Sequence, residues 1–154
     1  MNHWLLKSEP STFSIDDLRR APDGRDHWDG VRNYQARNFM RAMAVGDQAF
    51  FYHSNCPQPA IVGVVEICRE AYPDFTAFDP ESAYYDPKST PDKPRWFMVD
   101  VRYLRTLPRP VTLQELKQHP PLEDLPLLRR GNRLSIMPVD SASWDYILRL
   151  AAEG

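Results

Sequence analysis

The sequence predicts an α+β fold, built on a curved and mostly antiparallel sheet or small barrel with flanking helices. Segments rich in valine, isoleucine and aromatic residues, typical of strands, dominate the centre of the chain. Helix-start signals lie on either side of them, and short turns join consecutive strands. The sequence contains no internal repeat and no domain boundary, so a single domain is expected over residues 1–154.

The N-terminal part predicts one strand followed by two helices. Residues 2–7 alternate as a strand that ends at Lys-Ser-Glu-Pro, since proline removes a donor from the ladder. Ser14 and Asp17 have the spacing of a capping box and predict the start of a short helix. A second helix is expected over residues 33–44, with core positions at Tyr34, Phe39 and Met43.

The central part predicts three strands and one long loop. Residues 48–54 and 60–68 are expected to form a hairpin, and residues 96–107 a long alternating strand. Residues 71–94 are rich in proline and show no clear period. Their aromatic side chains predict a packed, ordered loop rather than a linker: Tyr72, Phe75, Phe78, Tyr84 and Tyr85.

The C-terminal part predicts short helices. Thr112 and Glu115 form a second capping box, expected to open a helix that reaches about His119. One helical turn is expected within residues 122–128. Asp140 then caps a last helix whose apolar positions are Trp144, Ile147, Leu148 and Leu150.

Composition narrows the classes of function. The chain is 42% hydrophobic and 26% charged, with a formal net charge of −2, which argues against nucleic-acid binding by bulk electrostatics alone. Two arginine groups still allow a local positive face, namely Arg32, Arg37 and Arg41, and Arg129, Arg130 and Arg133. No apolar run approaches the roughly 18 residues of a membrane span, and no signal peptide is evident. A cytoplasmic monomer without membrane contact is expected.

Sequence patterns for metal binding and catalysis are missing. Cys56 and Cys68 have no metal-like spacing, so neither a metal nor a cofactor is expected. The chain contains no GxSxG, HExxH, P-loop or GxGxxG pattern. His53 and Ser54 are adjacent on a predicted strand and point to opposite faces, so they do not form a base and nucleophile pair. The sequence therefore favours a binding protein over an enzyme.

Pairs of polar and aromatic residues stand at the ends of predicted strands. They are found at residues 7–9, at Trp28, at residues 52–55 and at Trp96. A nucleobase needs this mixture, because aromatic rings stack on its faces and polar groups bond its edge. Asn33 has two open interpretations, either as an N-cap of the following helix or as a group that reads the edge of a ring.

Eight segments closely resemble the EVE domain and cover essentially the whole chain in order. They lie at residues 7–10, 28–38, 46–54, 63–67, 72–80, 84–89, 96–101 and 133–139. The resemblance implies a PUA-like fold and kinship with YTH domains, which read N6-methyladenosine in RNA. It also implies binding of modified bases in DNA or RNA.

The resemblance implies a pocket for a flipped or unpaired base. The expected base-contacting residues are Ser8, Glu9, Trp28, Asn33, Tyr52, Ser54 and Trp96. Expected contacts to the nucleic-acid backbone are Lys7, Arg32, Arg37 and Arg133. Arg32 replaces a cage tryptophan of the YTH pattern, which argues against a methyladenosine cage. The polar groups of Glu9 and Asn33 suit a modified cytosine better.

Two alternative functions stay open on the sequence alone. One is a sensor of free nucleosides or similar ring compounds, which would be nearly indifferent to salt, whereas oligonucleotide binding weakens as salt rises. The other is an enzyme that processes modified bases, whose oligonucleotide substrates would change in mass.

Overall fold

The computed structural model describes residues 1–153, which contain six strands and four α-helices. The strands are β1 (His3–Ser8), β2 (Arg25–His27), β3 (Gln48–His53), β4 (Ala60–Pro73), β5 (Phe97–Thr112) and β6 (Ile136–Val139). The helices are α1 (Ile15–Arg20), α2 (Tyr34–Ala42), α3 (Leu113–Leu116) and α4 (Ser141–Ala152). Short 3₁₀ turns lie at Pro22–Gly24, Phe75–Phe78, Pro120–Leu122 and Pro126–Leu128.

All six strands form one open sheet in the order β2-β5-β4-β3-β1-β6. Every neighbouring pair is antiparallel except β1 and β3, which run parallel with Ser8 opposite His53. The α+β class is thus confirmed. Of the two architectures that the sequence allowed, the described residues form the open sheet and not a closed barrel.

Each face of the sheet carries its own apolar core, because neighbouring strand residues point to opposite sides. Leu6 and Phe51 pack on one face against α1 and α2. Leu5, Phe50 and Tyr52 pack on the other face, against α4 and the segment that follows β5. Trp28 also packs in the core of the first face, next to the candidate site.

Capping predicts the helix starts well. Ser14 and Asp17 form the expected capping box, and the Asp140 carboxylate accepts a hydrogen bond from the backbone N–H of Ser143. The Thr112 hydroxyl accepts a hydrogen bond from the backbone N–H of Glu115. The Glu115 carboxylate, however, accepts two hydrogen bonds from the Arg109 guanidinium, at 2.7 and 2.8 Å. That helix ends at Leu116, earlier than expected.

One core prediction for α2 is wrong. Tyr34 is 51% exposed, while Ala36 and Met40 are fully buried. Tyr34 is the first residue of the helix and stacks on Trp96 instead, with ring centroids 4.8 Å apart. Met43 is buried as predicted, and Phe39 packs partly buried against the same core.

Two strands are longer than the sequence predicts, because they pair with each other beyond the predicted ends. β4 continues to Pro73 and β5 to Thr112, since each strand lengthens the ladder of the other. None of the helices among residues 1–153 is long and apolar enough to cross a membrane.

Candidate functional site

A cleft of about 810 Å³ opens on the sheet face that carries α1 and α2. Five parts of the chain line it: the end of β1 and the loop after it, the corner between β2 and α2, the end of β3, the long loop before β5, and the segment before β6. The lining residues are 7–9, 12–13, 26–32, Ser54, Tyr84, Arg133 and Ser135.

The first wall of the cleft follows from the parallel pairing of β1 and β3. Parallel strands end at the same edge of a sheet, so the polar residues after both strands meet there. The backbone N–H of Ser54 donates to the carbonyl of Ser8 at 3.0 Å. The Ser8 hydroxyl donates to the carbonyl of Phe13 at 2.6 Å, and the N–H of Lys7 donates to the carbonyl of Ser135 at 2.8 Å.

The second wall is the corner of residues 28–32, which hydrogen bonds anchor on both sides. The N–H of Trp28 donates to the carbonyl of Val99 at 2.7 Å, and the N–H of Gly30 donates to the Asp74 carboxylate at 2.9 Å. Gly30 has a φ of +79°, and a Cβ added there would lie 2.7 Å from the Tyr84 ring. The tight turn therefore needs glycine for both its backbone conformation and its close approach to Tyr84.

Arg32 fastens this corner to the long loop. Its guanidinium donates to the Asp74 carboxylate at 3.0 Å, to the Tyr84 carbonyl at 2.6 and 3.1 Å, and to the Thr76 hydroxyl at 3.3 Å. A fifth bond reaches the carbonyl of Val31 at 3.0 Å. All five N–H groups of the side chain are thus engaged within the protein.

Asp74 is the buried partner in this arrangement. Its side chain is inaccessible to solvent, while that of Arg32 is 23% exposed. Burial opposes ionisation of Asp74, but hydrogen bonds from Thr76, Gly30 and Arg32 outweigh it and lower the pKa of the carboxyl group. The loop that carries Tyr84 is therefore held against the cleft by a satisfied buried ion pair.

Aromatic rings form the apolar part of the cleft. Trp28 is 7% exposed and meets the rings of Phe13 and Phe51 edge to face, at centroid distances of 6.4 and 5.5 Å. Tyr84, which is 40% exposed, also lines the cleft, with its ring close to Gly30. These rings provide stacking surface for a flat ligand.

The charged groups of the cleft are of both signs. Lys7 is partly buried, and burial lowers the pKa of its amino group. Burial likewise raises the pKa of the Asp29 carboxyl group. Arg133 is exposed at the cleft, and Glu9, Asp26, His27 and Arg32 also line it. The cleft thus offers cations and hydrogen-bond acceptors to the same ligand.

Seven of the residues predicted from the sequence lie together in this cleft. Four were predicted to contact a base and three to contact the backbone of a nucleic acid. They are Ser8, Glu9, Trp28, Ser54, Lys7, Arg32 and Arg133.

Tyr52 and Trp96 lie outside the cleft lining. Tyr52 is buried in the core of the opposite sheet face, and this burial raises the pKa of its hydroxyl to about 12. Trp96 is 6% exposed, donates its indole N–H to the Asp86 carboxylate at 2.7 Å and stacks on Tyr34. Both rings are used in packing.

Asn33 and Arg37 also lie outside the lining. The Asn33 side chain accepts a hydrogen bond from the N–H of Ala36 at 2.9 Å and so caps α2. It borders a second, smaller depression that contains Arg129 and Arg130 and shares Arg133 with the cleft. Arg37 stacks on the Tyr34 ring at 4.8 Å and donates to the carbonyl of Arg95 at 3.0 Å.

Several lining residues were not predicted from the sequence. Phe13, Asp26, His27, Asp29, Tyr84 and Ser135 all face the cleft. Of these residues, Asp29 was the easiest to predict, because it lies next to Trp28 in the same segment. Tyr84 reaches the site through the contacts of Arg32, more than 50 residues earlier in the chain, so no local pattern indicates it.

Comparison with known proteins now identifies the family. The family model of the EVE domain matches residues 2–150. The chain belongs to the EVE domain family. Thymocyte nuclear protein 1 of Gallus gallus is 48% identical over an alignment of 168 positions, gaps included, which covers 98% of this chain and 69% of the relative.

Two solved structures, one bound to DNA and one bound to RNA, share the fold of this EVE domain chain. Human THYN1 in complex with 5-methylcytosine-containing DNA is 45% identical, with a TM-score of 0.96, and the match covers 100% of this chain and 99% of that chain. The YTH domain of Zygosaccharomyces rouxii MRB1, in complex with N6-methyladenosine RNA, is 15% identical with a TM-score of 0.55 and covers 99% of this chain and 85% of that one. The latter likeness concerns the fold alone.

One expectation from the sequence is overturned by these relatives. The sequence predicted a cytoplasmic protein, but the curated relatives from chicken, mouse and human all bear the name thymocyte nuclear protein 1, which points to a nuclear location.

Proposed function

We propose that this EVE domain chain is a binding module that recognises a modified base in DNA or RNA through the cleft lined by residues 7–9, 26–32 and Ser54. The observation that carries the proposal is the complex of human THYN1 with 5-methylcytosine-containing DNA, since that protein shares 45% identity and a TM-score of 0.96 with the whole of this chain. The cleft gives the proposal a physical location.

The dimensions and lining of the cleft suit a nucleobase. A volume of about 810 Å³ lies within the range of small-molecule sites and leaves room for a base with part of its sugar. Trp28 and Tyr84 supply ring surface, and stacking contributes roughly 1–3 kcal/mol per base. Ser8, Ser54 and Glu9 supply polar groups for the edge. A base reaches such a cleft only when it is unpaired or flipped out of a duplex.

We assign the contacts with the phosphates that flank the base to two cations of the lining. Lys7 and Arg133 line the cleft, and no salt bridge involves either residue within residues 1–153. Phosphates close to Lys7 would favour its charged form, which burial disfavours in the free protein. Contacts of this kind make binding weaken as salt concentration rises.

We further propose that the protein binds the modified base without catalysing a reaction on it, and that it acts as a monomer. The complex of human THYN1 with 5-methylcytosine-containing DNA supports the first point. An oligonucleotide recovered after prolonged incubation is expected to have an unchanged mass.

The test compares single-stranded oligonucleotides that differ only in one base, 5-methylcytosine or cytosine. Fluorescence anisotropy is expected to give a lower Kd for the modified strand. Ser54→Leu, which fills the cleft, should abolish that preference, whereas Ser11→Leu, at an exposed position outside the lining, should retain it. Equal affinity of the wild-type protein for both strands, in this pair and in a matched N6-methyladenosine pair, would contradict the proposal.

A further inference from the structure

We propose, resting on the proposed function, that the Asp29 carboxylate accepts a hydrogen bond from the exocyclic amino group of the bound base. The cleft would then take amino-bearing bases such as cytosine and its 5-methyl form. Thymine and uracil, which present a carbonyl oxygen at the same position, would be rejected.

The backbone holds Asp29 in a fixed place. Its two neighbours are both anchored, Trp28 by a hydrogen bond of 2.7 Å to the carbonyl of Val99 and Gly30 by one of 2.9 Å to Asp74. The side chain lines the cleft and is 30% exposed. A group held in this way is preorganised for a ligand.

The Asp29 carboxylate lacks a good partner within the described part of the chain. Its nearest cationic group is the Nε2 atom of His27, at 4.0 Å, which is beyond hydrogen-bond distance. Its own backbone N–H is the other group that favours its charge. Burial outweighs both and raises the pKa of the carboxyl group. An N–H donor from a ligand would supply the missing partner.

The other two acids of the cleft already have partners. The Asp26 carboxylate accepts from the backbone N–H of His27 at 2.8 Å. The Glu9 carboxylate accepts from the Asn55 side chain at 2.8 Å. Of the three acids in the described lining, Asp29 alone accepts no hydrogen bond from another residue.

The chemistry of the bases determines what such a carboxylate selects. Cytosine carries an amino donor at C4, and carboxylates accept from it, whereas thymine carries a carbonyl oxygen there. A thymine in the same place would bring two acceptors together and leave Asp29 without a donor. 5-Methylcytosine and thymine share the 5-methyl group, so this pair separates recognition of the amino edge from recognition of the methyl group.

The experiment measures Kd for three strands that carry 5-methylcytosine, cytosine or thymine at one position. The wild-type protein is expected to prefer 5-methylcytosine over thymine by roughly 10-fold or more. Asp29→Asn keeps the shape but can also offer an N–H₂ donor, so it should reduce this ratio to near one. Asp124→Asn, the same change at an exposed aspartate outside the lining, should leave the ratio intact.

The outcomes separate this inference from the proposed function. Equal binding of 5-methylcytosine and thymine, with both tighter than cytosine, would overturn the role of Asp29 and leave modified-base recognition standing. The role of Asp29 would also be overturned if Asp29→Asn left the preference for 5-methylcytosine over thymine unchanged. Equal binding of all three strands would overturn the role of Asp29, and equal binding of the N6-methyladenosine pair as well would overturn both proposals.

Discussion

Arg32 illustrates how burial changes the interpretation of a charged residue. The sequence placed it among candidate phosphate contacts, and it does lie at the cleft. Its five N–H groups, however, bond to Asp74, Thr76 and backbone carbonyls. We infer that Arg32 acts mainly as a positioning residue, which holds the loop of Tyr84 against the cleft.

Arg32→Met is therefore expected to lower the free energy of unfolding by about 3 kcal/mol, because it leaves the buried Asp74 carboxylate without its cation. Urea denaturation measures this change. Arg37→Met, which removes an arginine from the surface of α2, is expected to cost under about 1 kcal/mol. Unchanged stability of the Arg32 variant together with weaker oligonucleotide binding would instead identify Arg32 as a phosphate contact.

At the scale of the residue, Asp74 shows why part of the site could not be predicted from the sequence. Local sequence places it in a proline-rich loop, where carboxylates are commonly solvated. Its full burial depends on Gly30 and Arg32, which lie more than 40 residues earlier. No pattern of neighbouring residues predicts that Asp74 contacts Gly30 and Arg32.

At the scale of the element, the start of α2 settles which residue caps the helix. The Asn33 side chain is exposed and accepts from the N–H of Ala36, which is the geometry of an N-cap. Of the two interpretations of Asn33, the geometry therefore favours the cap. We therefore expect Asn33 to act as the cap, and variants at this position test whether it also contacts a base.

Asn33→Ala should lower the free energy of unfolding by about 1 kcal/mol through loss of the cap, with the preference for a modified base retained. Asn33→Asp keeps an acceptor at the N-terminus of α2 and should restore stability. Thermal unfolding and anisotropy on the same samples separate the two effects. Loss of base preference in a fully stable Asn33→Ala variant would show that the side chain faces the ligand.

Elements with a strong local signal were predictable, whereas elements that depend on pairing were not. β1, β3 and α4 follow from alternation, periodicity and caps in their own sequences. β2 and β6 span only three and four residues and exist through their pairing with β5 and β1. β6 also contains Pro138, which is compatible with its place at the edge of the sheet.

On the scale of the whole molecule, the sheet separates a structural face from the face of the cleft. Tyr52 illustrates the consequence, since alternation along β3 places it with Phe50 and Leu5, away from Phe51 and the cleft. A polar and aromatic residue at a strand end is thus informative only once its face is known. We propose that the two cores fold as one domain, because both are built on the same strands.

The likeness to known structures and the open cleft support one account at this scale. The fold holds two strand ends and one anchored corner around a space of about 810 Å³. Recognition of a base in that space needs no large rearrangement, because backbone hydrogen bonds and the Arg32–Asp74 pair already fix the walls. We therefore expect binding to perturb the cleft and little else.

An NMR titration of the protein with a single-stranded oligonucleotide that carries one 5-methylcytosine tests this claim most directly. The largest changes in backbone amide shift are expected at Ser8, Asp29 and Ser54, with small changes at Tyr52 and in α4 on the opposite face. The unmodified strand should produce smaller changes at the same amides. Changes that centre on another surface, or that are the same for both strands, would contradict recognition of a modified base in this cleft.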